Sequence, residues 1–146
     1  MAFNGREETT GWNGDHPRVL LVDDEKDFLI SLADRLALRG IRPNLAFDGW
    51  EALRRIEEEI PEIIILDLRM PGLGGLEVLR RVRRTHPEVQ VVILTGHGTQ
   101  QEAEECLSLG AVEFLQKPAS FEKIMDCLRH THKKNRKQSG TKPGGT

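Results

Sequence analysis

The chain has 146 residues, 38% of them apolar and 30% charged, with a formal net charge of -2. That suffices for one domain of ordinary size with a buried core and is too little for two. No apolar stretch approaches the ~20 residues of a membrane span, and Met1 to His16 lacks the apolar centre of a secretory leader, so the expected address is cytoplasmic with no membrane partner.

Residues 1–16, rich in Gly, Asn, Thr and charge and followed by Pro17, read as a disordered lead. From there β-branched apolar runs alternate with helix-like stretches, and residues 17–131 read as one folded domain. Arg18 to Val22 is the first strand. Asp24 to Arg39 places Phe28, Leu29, Leu32 and Leu36 on one helical face and is ended by Gly40. Ile41 to Phe47 is a weak strand, and Pro43, which has no ladder donor, puts it at an edge. Asp48 caps a helix in which Ala52, Leu53 and Ile56 face inward, and Pro61 closes it.

The run Ile63 to Leu66 is the third strand, and Gly72 to Gly75 is a turn into a helix carrying Leu76, Leu79 and Val82. Val89 to Leu94 is the fourth strand, followed by a helix with Ala103, Cys106 and Leu107. Ala111 to Leu115 is the fifth. Ser120 caps a last helix with Phe121, Ile124, Met125 and Leu128 on one face. Five parallel strands with five flanking helices make an α/β doubly wound sheet. Cys106 and Cys127 read as buried free thiols.

Residues 129–146 contain Arg129, Lys133, Lys134, Arg136, Lys137 and Lys142 and no acid, so this end carries +6 and the rest -8. Residues 132–146 read as a basic, Gly/Pro-rich disordered tail. The Lys133 to Lys137 run reads as a solvated helix end, and without interleaved aromatics it does not point to nucleic acid. His130 and His132 read as tail composition, and Trp50 as a partly buried surface aromatic.

The chemistry lies where the strands stop. The apolar runs end at Asp23-Asp24, at Asp67, at Thr95 and just before Lys117-Pro118. In an open parallel sheet the ligand crevice lies outside the carboxyl ends of the strands, so these groups share it. Carboxylates ~4 Å apart repel by ~4 kcal/mol at an effective dielectric near 20. Such a cluster needs either a raised carboxyl pKa or a hard divalent cation, and Mg²⁺ accepts carboxylates together with a phosphate oxygen. Asp67 is then a candidate nucleophile toward a phosphoryl group, with Lys117 as a second positive point and Thr95 as a hydrogen-bonding partner.

Val22-Asp23-Asp24, Pro61 to Asp67, Met70-Pro71, Gly75, Thr95-Gly96, Gly110-Ala111, Phe114 and Lys117-Pro118 together resemble the receiver (CheY-like) domain of bacterial two-component response regulators. The resemblance implies a flavodoxin-like sheet in the order 2-1-3-4-5. It implies Asp67 as phosphoacceptor, Asp24 as a direct Mg²⁺ ligand, Asp23 as a ligand largely through water and the Arg69 main-chain carbonyl as a further ligand. Thr95 and Lys117 would contact the phosphoryl oxygens, and the Lys117-Pro118 peptide would be cis. Arg69 and His97 flank the path of the hydrolytic water. Thr95 and Phe114 would form the switch, with Phe114 standing where many relatives carry Tyr or His.

The implied function is a single-domain regulator that is not an enzyme in its own right. It takes a phosphoryl group from a histidine kinase or histidine phosphotransfer protein and changes its affinity for a downstream protein through the face of the fourth helix, fifth strand and fifth helix, as a monomer or a phosphorylation-dependent dimer. Two other readings stay open. One is the receiver fragment of a longer transcription regulator. The other is a Mg²⁺-dependent phosphohydrolase, against which stands Arg69, since haloacid dehalogenase-type enzymes usually carry an acid two residues after the nucleophile.

Overall fold

The computed structural model describes residues 16–145 and the side chains of 16–135. The expectation for residues 1–15, and for Thr146, lies outside the described residues. The elements in chain order are β1 (Val19–Val22), α1 (Lys26–Leu38), β2 (Asn44–Ala46), α2 (Gly49–Glu58), β3 (Ile63–Leu66), α3 (Gly75–Thr85), β4 (Gln90–Thr95), α4 (Gln100–Ser108), β5 (Glu113–Gln116) and α5 (Phe121–Gly145).

The strands form one parallel sheet in the order β2-β1-β3-β4-β5, as expected. Alternate residues of each strand feed opposite faces. Leu20, Val22, Ile64, Leu66, Val91 and Ile93 pack with Ala52, Ile56, Val78, Leu79, Val82 and Cys106 of α2, α3 and α4. Val19, Leu21, Ile63, Ile65, Val92 and Leu94 pack with Leu29, Leu32 and Leu36 of α1 and with Phe121, Ile124, Met125 and Leu128 of α5. Each Val, Leu, Ile, Met or Phe among them contributes ~1.5–3 kcal/mol by leaving water. The three central strands β1, β3 and β4 therefore read as near-continuous apolar runs because both faces are covered.

Two predicted caps form. Asp48 accepts from the Glu51 amide at 2.8 Å, and the Ser120 hydroxyl accepts from the Lys123 amide at 3.1 Å. The second strand is shorter than the periodicity suggested and lies at the edge. Ile41 is fully buried outside it, its amide bonded to the Leu36 carbonyl at 3.0 Å, so the start of that apolar run closes the turn after α1 instead of pairing with β1. Both cysteines are free, Cys106 buried and Cys127 half-buried. Trp50 is 57% exposed, with the Arg81 guanidinium 5.2 Å from its ring centroid. Leu107, at 47%, also faces outward.

Residues 132–146, expected from their composition to lack structure, instead continue α5 as far as Gly145. Its first turn there is anchored by contacts. His132 is buried, its Nδ1 is 2.8 Å from Glu62 Oε2, and Asn135 Nδ2 donates to the same oxygen at 3.2 Å. These bonds tie the helix to the segment entering β3. Among the described residues no helix is long and apolar enough to cross a membrane.

Candidate functional site

Neighbouring strands end in register, and this brings the chemical groups together. Val22 pairs with Leu66, so Asp23 and Asp67 follow adjacent strands, and the Asp67 amide donates to the Val22 carbonyl at 3.0 Å. Leu66 pairs with Ile93 and Thr95 with Gln116, which places Thr95 on the other side of Asp67 and Lys117 beyond it. The chain leaves β3 in a tight turn. A Cβ at Gly75 would run into the Asp67 carbonyl and come within 2.8 Å of Leu68 Cα, so only glycine lets α3 start this close to the acceptor.

Asp23, Asp24 and Asp67 each place a carboxylate oxygen within 4.8 Å of the others. Asp23 and Asp67 are buried, whereas Asp24 is exposed. Asp67 Oδ1 is buried and has no hydrogen-bond partner among the described residues. A buried carboxylate oxygen without a donor is costly unless a cation fills the place. The donor set therefore fits a hard divalent metal. Burial pushes the Asp23 carboxyl up from its usual 3.8 and the Asp67 charge adds to this, while bonds from Lys117 and the Glu25 amide pull it back.

The crevice has a volume of about 240 Å³ and is lined by Asp24, Glu25, Asp67, Arg69, Gly96, His97 and Lys117. Lys117 enters it from the cis Lys117-Pro118 peptide. Its Nζ donates to Asp23 Oδ2 at 2.7 Å and Glu25 Oε1 at 2.9 Å, and lies 4.4 Å from the Phe28 ring centroid. Burial pulls the Lys117 ammonium down, but those two carboxylates outweigh it and leave the group above 10.5. The bond from Lys117 holds the Glu25 carboxyl below its usual 4.5. Lys117 is thus held beside Asp67 by other acids.

Thr95 is fully buried at the end of β4, and its hydroxyl accepts a long bond from the His97 amide at 3.4 Å. Phe114 is half-buried on β5 and turned toward Gly98. A Cβ on Gly98 would run into the Phe114 ring and stand 3.0 Å from Thr95 Cγ2, so the ring, the loop and Thr95 share one contact. Arg69, past β3, crosses to α4, where its Nη2 donates to Glu102 at 2.8 and 3.0 Å.

Of the residues named for the site from the sequence, Asp23, Asp24 and Asp67 form the acid cluster, Asp24, Asp67, Arg69, His97 and Lys117 line one crevice, and Thr95 and Phe114 meet at Gly98. Glu25 and Glu102 were not among them. Glu25 follows the acid pair and was legible only as a capping or dipole charge. Glu102 completes a Thr99-x-x-Glu102 capping box, a pattern that marks a helix start and says nothing of Arg69.

A family model described as the response regulator receiver domain matches residues 19–129. The chain belongs to the response regulator receiver domain family. The receiver is 37% identical over 112 residues to the response regulator MprA of Mycobacterium tuberculosis (strain ATCC 25618 / H37Rv), a match covering 77% of this chain and 49% of that protein. The chain thus spans about half the length of the curated relatives it matches. Among solved structures, the signal receiver domain of a putative Luxo repressor protein from Vibrio parahaemolyticus superposes with a TM-score of 0.81 at 28% identity, over 85% of this chain and 95% of that one. The receiver domain of NtrX from Brucella abortus gives 0.73 at 32%, over 77% and 96%. A CheY-like receiver from Methanospirillum hungatei JF-1 gives 0.81 at 23%, over 85% and 99%, and bears on the fold alone.

Proposed function

We propose that this receiver takes a phosphoryl group on Asp67 from a histidine kinase or histidine phosphotransfer protein and signals to a downstream protein. The observation that carries the reading is the buried, unpartnered Asp67 Oδ1 inside a three-acid cluster, with Thr95 and Lys117 at the ends of the next strands. In the transfer an Asp67 oxygen bonds to phosphorus as the bond from phosphorus to the donor's imidazole nitrogen breaks, and the electron pair stays with the imidazole. Thr95 and Lys117 supply a hydroxyl and an ammonium to the phosphoryl oxygens. For Lys117 this means giving up at least one of its two acid partners.

Asp24 and Asp67, the Arg69 carbonyl and, through water, Asp23 would hold Mg²⁺, which when bound neutralises charge on the acceptor and the phosphoryl group. Arg69 and His97, which line the crevice, would govern how long the modification lasts. The chain acts as a phosphoacceptor and not as a turnover enzyme. Its proposed address is the cytoplasm, in keeping with its free thiols. The output face is α4, β5 and α5. Exposed Leu107 and Val112, at 47% and 38%, supply apolar contact there for a partner protein or a second copy.

Incubation with Mg²⁺ and acetyl phosphate, followed by intact mass, tests the reading. One added phosphoryl group is expected, absent in Asp67→Asn and after chelation. Full labelling of Asp67→Asn would refute the assignment, and fast multiple turnover on phosphate esters would favour the hydrolase. One observation favours a second reading, the receiver part of a longer regulator: the 112 matched residues make up only about half of the curated relatives' length. The parent reading frame separates the two, which share one phosphoryl chemistry.

A further inference from the structure

Arg69 lies two residues past the acceptor and lines the same crevice as Asp67, yet its guanidinium is bound elsewhere. Its Nη2 donates to both carboxylate oxygens of Glu102, at 2.8 and 3.0 Å, and to the His97 carbonyl at 3.3 Å. Glu102 is the third residue of α4. Its Oε1 also accepts from the Thr99 amide at 3.1 Å, while the Thr99 hydroxyl accepts from the Glu102 amide at 3.1 Å. One carboxylate therefore does two jobs. It closes the amino end of α4, and it pins a cation of the acceptor loop across the Thr95 to Gly98 segment.

A phosphoryl group on Asp67 adds nearly two negative charges and three acceptor oxygens beside the same guanidinium. Arg recognises carboxylate and phosphate with the same donor fork, so the two anions are rivals for it.

We propose that Glu102 is a positioning residue that holds Arg69 on α4 and clear of Asp67, and that a phosphoryl group on Asp67 competes for Arg69, so that the strength of the Arg69–Glu102 pair sets the lifetime of the phosphorylated state. The proposal rests on the phosphoacceptor reading. Loss of the group proceeds as a water oxygen bonds to phosphorus while the bond to Asp67 breaks, giving inorganic phosphate and the free carboxylate. An Arg69 drawn onto the phosphoryl oxygens covers the side from which that water enters. A firm grip by Glu102 leaves that side open.

The discriminating variant is Glu102→Gln. A glutamine keeps a carbonyl oxygen for the Thr99 amide, as in a capping box, and drops the charge that holds Arg69. Wild type, Glu102→Gln, Arg69→Ala and the double variant are labelled with Mg²⁺ and acetyl phosphate. The donor is then removed, and the decay of phosphoprotein is followed by intact mass. Glu102→Gln is expected to lengthen the lifetime about threefold, the scale of a half-exposed ion pair, and the double variant to decay like Arg69→Ala. Unchanged hydrogen exchange at the Glu102 and Ala103 amides in Glu102→Gln shows that the cap is intact. A common lifetime for all four proteins, or a Glu102→Gln effect that survives without Arg69, overturns the proposal and leaves the phosphoacceptor reading standing. No label on wild type removes both.

Discussion

Burial pushes the Cys106 thiol up to about 11 from an ordinary 9.0, with the charges of Glu105 and Glu102 adding to it. The unfolded chain therefore loses this proton first as pH rises, and the folded state keeps it longer. Stability is unaffected by this group below pH 9 and falls as pH climbs from there toward 11, by roughly 2–3 kcal/mol for a shift of that size. Urea unfolding at a series of pH values is expected to show this slope in wild type and a flatter one in Cys106→Ala. Gly98 makes a different demand. Gly98→Ala drives a methyl into the Phe114 ring and against Thr95, and is expected to cost ~1–3 kcal/mol by overpacking. Phe114→Leu added to it should recover part of the loss in thermal unfolding, which would identify the ring as the group displaced.

The helices owe their starts to short-range chemistry, and most of that is visible in the chain. Asp48 before Gly49 and Ser120 before Phe121 are caps by residue type and position, and both form. Asp48→Ala is expected to lose ~1 kcal/mol, read as a lower denaturant midpoint at constant slope. The start of α1 is less legible. Asp24 stands where a cap belongs, but Asp23 accepts from the Glu25 amide at 2.9 Å, and the helix begins at Lys26. An acid needed in the crevice is turned to face it, and the cap position falls to a residue whose side chain binds Lys117 instead. The shortened β2 has a similar cause, because burial of Ile41 beneath α1 takes the first residue of an apolar run that periodicity alone would assign to the strand.

Across the molecule, the three-acid cluster predicts a stability that responds to divalent cation. Mg²⁺ is expected to raise the melting temperature of wild type, with the shift reduced in Asp67→Asn, because an ion held only by the folded state stabilises by mass action. At the opposite end of the sheet, Glu62 bridges to His132 and Asn135. His132→Ala is expected to destabilise by ~1 kcal/mol, the net worth of one hydrogen bond, since Asn135 still donates to Glu62. Hydrogen exchange should show α5 fraying from its carboxyl end in that variant.

The chain's apolar runs, and the acid, hydroxyl or amine at the end of each, were enough to read a parallel sheet, its 2-1-3-4-5 order by resemblance, and the convergence of Asp23, Asp24, Asp67, Thr95 and Lys117. Strand period and cap residues act over a few neighbours, so they leave a local pattern. Which acid each cation binds has no such trace. Lys117 pairs with Asp23 and Glu25 across 94 and 92 residues, Arg69 with Glu102 across 33, and His132 with Glu62 across 70. Each choice depends on side-chain distances of a few ångströms that exist only after the helices have docked on the sheet. The contacts of His132 and Asn135 with Glu62 belong to the same class, and they anchor a helix where composition marked a loose tail.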